Sequence, residues 1–368
     1  MNPPIDRPGR LPLTYDECRA RFRHVVGALG LPVETHPLDV AGPEGQRLSV
    51  DVTAVGSASP ERALLVLSGV HGVEGFIGSA LQCAFLDRLA ALTLPDDVGV
   101  VVVHAVNPWG MAWGRRQDDA NVDLNRNWRR SDRTVIDNDD YDEVHPLACP
   151  ATAEIPDVGE LLVAAADLVE RWGLDRVRDA ITVGQYRHAD GLHFGGHETR
   201  PSNRVLERIV DQHLGSAQRV LVVDLHTGHG PRGEAVALVD DTPDGEHARF
   251  LRAALPTATV EATRSNPDAT TGTKSGQIGN GVVDLLPGAV GHATSLEIGT
   301  TPDEEQLVAT FLEHWVHHHG DRTRPDHAAV AWAYRCCFTP DDAVWEARAR
   351  QVGGRQLDDA LAAVVAWT

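Results

Sequence analysis

The chain has 368 residues, 42% of them hydrophobic, and a formal net charge of −20. So acidic a protein repels phosphate backbones and anionic lipid surfaces, which argues against a nucleic-acid partner and against a membrane-surface role. The length suits a large α/β enzyme with a sizeable core, and no run of 18 apolar residues predicts a membrane span.

The N-terminal stretch MNPPIDRPGRLPLTYDECRARF lacks a signal-peptide type of apolar core. Cys18, Cys83, Cys149, Cys336 and Cys337 are scattered, with no C-x-x-C spacing. Both features predict a reduced, cytoplasmic protein.

A first helix is expected over residues 14–30, with Thr14 as its cap and Gly30 as its stop. Strands follow at Glu34–Leu38 and Arg47–Val55, the second with alternating apolar positions. Ala63–Ser68 and Val98–Val106 are continuous apolar runs of the kind found in buried parallel strands. Ile77–Leu92 reads as an amphipathic helix, and Asn107-Pro108-Trp109-Gly110 as a turn. Residues 131–160 are rich in Asp, Asn and Pro without a period, and predict a long surface insertion.

Val158–Arg171 is expected to be helical, followed by the segment GQYRHADGLHFGG. A helix over Ser202–Leu214, strands at Val220–Leu225 and Ala235–Val239, and a helix over Gly245–Leu255 come next. A short strand at Ser295–Ile298 and a long helix over Pro302–His318 precede an Ala- and Trp-rich helical tail. Alternating strands and helices predict an α/β fold with a mainly parallel sheet and helices on both faces. The expected organisation is one domain over residues 1–325, with an insertion at about 131–200, and a tail at 326–368 packed on it.

Four stretches carry candidate chemistry. In Ser68-Gly69-Val70-His71-Gly72-Val73-Glu74, a buried strand runs straight into His-x-x-Glu. A strand end of this kind lies at the carboxyl edge of the sheet, where open α/β folds keep their sites. In Asp224-Leu225-His226, a second buried strand delivers another His to the same edge. Two imidazoles and a carboxylate suit Zn²⁺ and leave a fourth position for water. His229 is an alternative ligand, and Asp224 a candidate for orienting the ligand His. Downstream of Val98–Val106 come Arg115-Arg116 and Asp123-Leu124-Asn125-Arg126-Asn127. Local arginines in an acidic chain suit a substrate carboxylate or a developing oxyanion. Glu297, in the apolar run Ser295-Leu296-Glu297-Ile298, is a candidate general base, because a carboxylate there is costly unless it works or is paired.

The ordered set His71-x-x-Glu74, Asn107-Pro108-x-Gly110, Arg115/Arg116, Asp123-Leu124-Asn125-Arg126-Asn127, Asp224-Leu225-His226 and Glu297 resembles the zinc carboxypeptidase superfamily. That superfamily includes the aspartoacylase and succinylglutamate desuccinylase branch. The resemblance spans roughly residues 45–300. It implies an α/β/α sandwich around a mixed sheet. It also implies one Zn²⁺ per chain on His71, Glu74 and His226, with Glu297 as the catalytic carboxylate. Arg116, or alternatively Arg115, would face the oxyanion, while Asn125 and Arg126 would bind a substrate carboxylate.

Secreted members of the family carry a mobile Tyr shortly before the catalytic Glu. No Tyr occurs over residues 272–296, and Tyr186, in GQYRHADG, is the candidate substitute. The expected activity is hydrolysis of a peptide or N-acyl amino acid amide beside a free carboxylate. A non-catalytic, metal-stabilised binding protein is the alternative of another class. Gly272-Thr273-Lys274-Ser275 lacks the spacing of a phosphate loop, and no Gly-x-Ser-x-Gly elbow occurs.

Overall fold

Continuous β-branched and aliphatic runs make the centre of the molecule, because a strand covered by helices on both faces has no solvent side to make polar. The computed structural model describes residues 10–128, 137–266 and 272–368. Its elements begin with α1 (Tyr15–Ala28), β1 (Glu34–Ala41), β2 (Arg47–Gly56), β3 (Arg62–Ser68), α2 (Gly75–Leu89), β4 (Val98–His104) and α3 (Pro108–Trp113). Next come α4 (Tyr141–Ala148), α5 (Val158–Trp172), α6 (Leu174–Thr182), α7 (Pro201–Leu214), β5 (Arg219–Arg232), β6 (Ala235–Val239), α8 (Glu246–Ala254) and β7 (Thr259–Ala262). The chain closes with α9 (Ile278–Asp284), β8 (Val290–Gly299), α10 (Asp303–His319), α11 (Pro325–Phe338) and α12 (Ala343–Ala366).

The eight strands form one sheet in the order β1-β2-β4-β3-β5-β8-β6-β7. The block β4-β3-β5-β8 is parallel throughout, so its four carboxyl ends share one edge. The flanks are antiparallel at β1–β2, β2–β4 and β6–β8, which makes the sheet mixed. Side chains alternate between two cores. Leu64, Val66, Leu221, Val223 and Leu225 pack with α1, α2, α8 and α12. Ala63, Leu65, Leu67, Val220 and Val222 pack with α7 and α9. This is an α/β/α sandwich.

Several local expectations change. α2 is buried on nearly every side instead of amphipathic, because α12 lays Leu357 and Leu361 on the same core as Leu81 and Phe85. Asn107-Pro108 opens the helix α3 instead of making a turn: Asn107 Oδ1 accepts from Gly110 N at 2.8 Å, and Pro108 takes the first helical position. Strand β7 was not anticipated, and β8 begins at Val290, since pairing with β5 and β6 extends it through Gly291 and His292.

Within the stretch expected to be irregular, Tyr141, Val144, Leu147 and Ala148 are buried on one face of α4. They join α5, α6 and Phe311 of α10 in a core of their own. Residues 131–136 of that stretch lie outside the described residues. The tail follows the sandwich: Trp345 Nε1 donates to Gly299 O at 2.9 Å, and Leu357, Ala360 and Val364 enter the first core. Among the described residues no helix is long and apolar enough to cross a membrane.

Candidate metal centre

At the carboxyl end of β3 the chain turns sharply. Gly69 has φ +65°, and a side chain there would meet Ala105 at 2.9 Å. His71 then caps a single 3-10 turn, Gly72–Glu74, that leads into α2. This turn lies directly on α3, since a Cβ on Gly72 would sit 1.9 Å from the Gly110 carbonyl carbon. The contact also fixes the arginine pair, with Val73 N donating to Arg115 O at 2.8 Å and Asn107 Nδ2 to Arg116 O at 3.1 Å.

On β5, Leu225 faces the first core, so Asp224 and His226 face the opposite side. Parallel pairing sets His226 directly beside Glu297 of β8. One face of one sheet edge thus receives both residues although they are far apart in sequence.

His71, Glu74 and His226 meet there, buried. His71 Nδ1 lies 2.8 Å from Glu74 Oε1, His226 Nδ1 lies 2.9 Å from Glu74 Oε2, and the two Nδ1 atoms are 3.1 Å apart. Thr227 N also donates to Glu74 Oε2, at 3.1 Å. The outer imidazole nitrogens face carboxylates: His226 Nε2 is 2.7 Å from Asp224 Oδ2, and His71 Nε2 is 3.4 Å from Asp123 Oδ1. Asp224 assigns the His226 ring proton to Nε2, which turns its Nδ1 inward beside the Nδ1 of His71. Two imidazole nitrogens and a carboxylate this close repel one another unless a metal cation or a proton sits among them.

The electrostatics agree. Burial would raise the Glu74 carboxyl, but His71 and His226 hold it well below the usual range. Burial opposes a charge on His226, and Asp224 with Glu74 outweighs it, holding the imidazole well above its ordinary value. The donor set and geometry fit Zn²⁺, with neighbouring carboxylates orienting both imidazoles.

Glu297 lies beside this cluster, and its Oε2 has no hydrogen-bond partner among the described residues. Burial raises its carboxyl above the usual range, against the pull of His226. Arg116 enters from the other side, with Nε donating to Asp123 Oδ2 at 2.9 Å and Nη1 3.7 Å from Glu74 Oε1. Burial and then Arg116 act on Asp123 in opposite senses, and the arginine prevails, holding that carboxyl well down.

Arg126 is buried and spends its guanidinium on main-chain carbonyls, those of Thr182 at 2.8 and 3.2 Å and of Asn125 at 2.8 Å. Among the described residues no carboxylate forms an ion pair with it, and burial lowers its pKa to about 10. Asn125 Oδ1 accepts from Ile278 N at 2.9 Å, tying this segment to α9.

Two expected substrate residues go elsewhere. Arg115 turns away from the cluster, fully buried, with Nε 3.2 Å from Glu313 Oε1 of α10; Arg322 pairs with the same carboxylate. It is adjacent to Arg116 in sequence, but the chain's twist sends the two guanidinium groups in opposite directions. The Tyr186 hydroxyl donates to Arg126 O at 2.7 Å, so it braces the segment's backbone. His229, the alternative ligand, faces Glu261 of β7 at 3.2 Å and does not join the cluster.

The structure adds three residues that pattern reading passed over. His193 is buried with φ +51°, and its Nδ1 has no partner among the described residues. Burial, with Arg116 and Arg126 nearby, holds it far below its ordinary pKa and therefore neutral. Lys274 is half-buried, and burial together with Arg126 lowers its amine to about 7, against the pull of Glu297. Tyr334 of α11 is buried within electrostatic reach of Arg116 and Glu74. The only sequence signal for His193 is a histidine inside a glycine-rich run. Tyr334 carried none, because α11 reaches the site from the far end of the chain.

No curated protein matches the chain. Among solved structures it is similar to carboxypeptidase A from Helicoverpa armigera, with TM-score 0.47 and 14% identity, over 94% of this chain and 73% of that one. It is also similar to bovine thrombin-activatable fibrinolysis inhibitor in complex with tick carboxypeptidase inhibitor, with TM-score 0.47 and 11% identity, over 88% and 95% of the two chains. A Shewanella frigidimarina protein described as a candidate succinylglutamate desuccinylase/aspartoacylase is similar at TM-score 0.39 and 16% identity, over 79% and 72%. A family model matches residues 12–351, and the chain belongs to that family, described as a protein of unknown function, DUF2817.

Proposed function

We propose that the protein is a zinc-dependent hydrolase of an amide bond next to a free carboxylate. The observation that carries this reading is the inward convergence of His71 Nδ1, His226 Nδ1 and Glu74, with Glu297 alongside and a buried Arg126 that has no carboxylate partner among the described residues. A zinc ion held there supplies Lewis-acid polarisation of a carbonyl and makes bound water more acidic.

The protein's own groups do the rest. Asp224 and Asp123 keep the two imidazoles in the tautomer that faces inward. Glu297, its pKa raised by burial, takes a proton from the attacking water and returns it to the nitrogen as the C–N bond breaks. Arg116 is placed to stabilise the negative charge developing on the carbonyl oxygen. Arg126 and Asn125 bind the substrate carboxylate, which gives the buried guanidinium an ion-pair partner that it has nowhere among the described residues. Both a peptide and an N-acyl amino acid meet these requirements, and the role assigned to each residue belongs to this proposal.

The test is metal analysis of purified and chelator-stripped protein, with a panel of short peptides and N-acyl amino acids. The expected result is activity restored by Zn²⁺ and abolished by Glu297→Gln with zinc still bound. No zinc uptake, and no hydrolysis of any panel member on readdition, would overturn the proposal. Release of C-terminal residues from unmodified peptides would assign it as a carboxypeptidase, and deacylation alone as an amidohydrolase.

A further inference from the structure

A second group of metal-ligating atoms lies on the insertion. His145, His188 and Asp190 each offer one atom within 4.8 Å of the others. His145 sits on α4, one turn after Asp142. Its ring stacks on His188 with centroids 4.1 Å apart and planes inclined at 24°. His145 Nε2 is 3.2 Å from Asp190 Oδ1, and His188 Nε2 is 2.8 Å from Asp142 Oδ1. Both rings are half-buried, and Asp190 is exposed.

The turn that presents His188 and Asp190 is built to hold its shape. Every carbonyl from His188 to Gly191 is engaged: His188 O by Gln185 Nε2 at 2.7 Å, Ala189 O and Gly191 O by Asn121 Nδ2 at 3.0 and 2.9 Å, and Asp190 O by His314 Nε2 at 2.6 Å. Gln185 Oε1 in turn accepts from the main-chain N–H of Arg187 and His188, at 3.0 and 2.8 Å. Gln185, Asn121 and His314 are buried, so these bonds are shielded from water. The surroundings are acidic: Asp137, Asp139 and Asp142 gather here, with Arg187 among them.

We propose that His145, His188 and Asp190 form a second cation site, of the zinc type, that clamps α4 to the 188–191 turn. Two imidazole nitrogens and one carboxylate favour Zn²⁺, Co²⁺ or Ni²⁺ over Mg²⁺ or Ca²⁺, which prefer all-oxygen shells. The partly open surface leaves room for water as a further ligand.

The clamp also bears on the first cluster. The same loop accepts Asp123 N on Phe194 O at 2.8 Å, donates the Tyr186 hydroxyl to Arg126 O at 2.7 Å, and accepts Asn127 Nδ2 on Gly195 O at 2.8 Å. A cation on His145 and His188 therefore stiffens the support behind the arginine proposed to read the substrate.

The test uses the full chain, stripped with chelator and titrated with Zn²⁺ and, separately, with Co²⁺. The His71→Ala/His226→Ala variant is expected to bind one equivalent, to show a visible Co²⁺ ligand-field spectrum, and to melt higher when Zn²⁺ is added. Adding His145→Gln/His188→Gln is expected to abolish all three. On the otherwise unchanged protein, His145→Gln/His188→Gln alone is expected to remove one equivalent of Zn²⁺. That stoichiometry is read if the first variant fails to fold. Unchanged stoichiometry there, or Zn²⁺ uptake by a folded His71→Ala/His226→Ala protein that is indifferent to His145 and His188, would overturn the proposal. If the parent binds a single equivalent that depends on His145 and His188 and not on His71, the second site stands and the hydrolase reading fails.

Discussion

Asp224→Asn removes one charge and almost no volume at a residue that is 1% exposed, so it probes orientation more than packing. Asp224 Oδ2 faces His226 Nε2 at 2.7 Å and selects the tautomer whose Nδ1 faces the cluster. An amide holds that tautomer less firmly, and when flipped it offers an N–H to Nε2 and favours the wrong one. Loss of such a partner costs about 10–100-fold in metal affinity, or roughly 1.4–2.8 kcal/mol. At fixed free zinc the stabilisation by zinc falls by a similar amount, which lowers the zinc-dependent rise in Tm by roughly 2–5 °C in a chain of this size.

The assay is a competition titration against a chelating dye, with melting curves of the zinc-loaded and metal-free forms. The quantity read is the difference between these two forms within each protein. The metal-free form also changes when Asp224 stops holding the His226 pKa up. A zinc Kd within twofold of the parent, together with an unchanged zinc-dependent Tm rise, would refute the tautomer argument and the inward-facing Nδ1 pair with it.

Arg126→Met is expected to raise KM for a carboxylate-bearing substrate about 100-fold, roughly 3 kcal/mol of charge-assisted hydrogen bonding, and to lower stability by about 1–3 kcal/mol through the Thr182 and Asn125 carbonyls it leaves unpaired; unchanged KM in the folded variant would move the carboxylate elsewhere. Arg116→Met and Arg115→Met should separate cleanly. The first lowers kcat about 100–1,000-fold, and the second leaves kcat near the parent's while lowering stability by about 1–3 kcal/mol, since Arg322 still holds Glu313, so an equal loss of kcat in both would contradict the opposite directions of their side chains. His193→Asn keeps a residue that tolerates positive φ, and should lower kcat/KM about tenfold at constant Tm, the size of one lost hydrogen bond; unaltered kinetics would remove His193 from the site. Burial lowers the His104 imidazole to about 4 despite Asp51, so the unfolded chain takes up that proton first. Stability should therefore fall as the pH drops from about 6.5 to about 4, by up to roughly 3 kcal/mol, and flatten in His104→Gln; denaturant titrations across that range read it, and identical slopes in both proteins would disprove the assignment.

Much of the central sheet was legible because its strands obey local rules. A parallel strand buried on both faces must be apolar at every position, and β3, β4 and β5 announce themselves this way. Polar residues set directly after such strands, as His71 is, or near their carboxyl ends, as His226 is, mark the sheet edge, and alternation along the strand then dictates that Asp224 and His226 share a face. Sequence by itself determined those placements.

Tertiary structure decided what depends on partners distant in the chain. α4 was overlooked because four apolar positions in eight residues become a buried face only against α5, α6 and Phe311. The choice between Arg115 and Arg116 was open because neighbouring residues have no sequence signal for opposite directions; Glu313 captures one and Asp123 the other. The positive φ of His193, the bracing of Tyr186 and the arrival of Tyr334 are likewise set by loops and helices that meet only after folding. Local propensity acts over a few residues, whereas a buried charge is placed by whichever partner, anywhere in the chain, offsets the loss of its water.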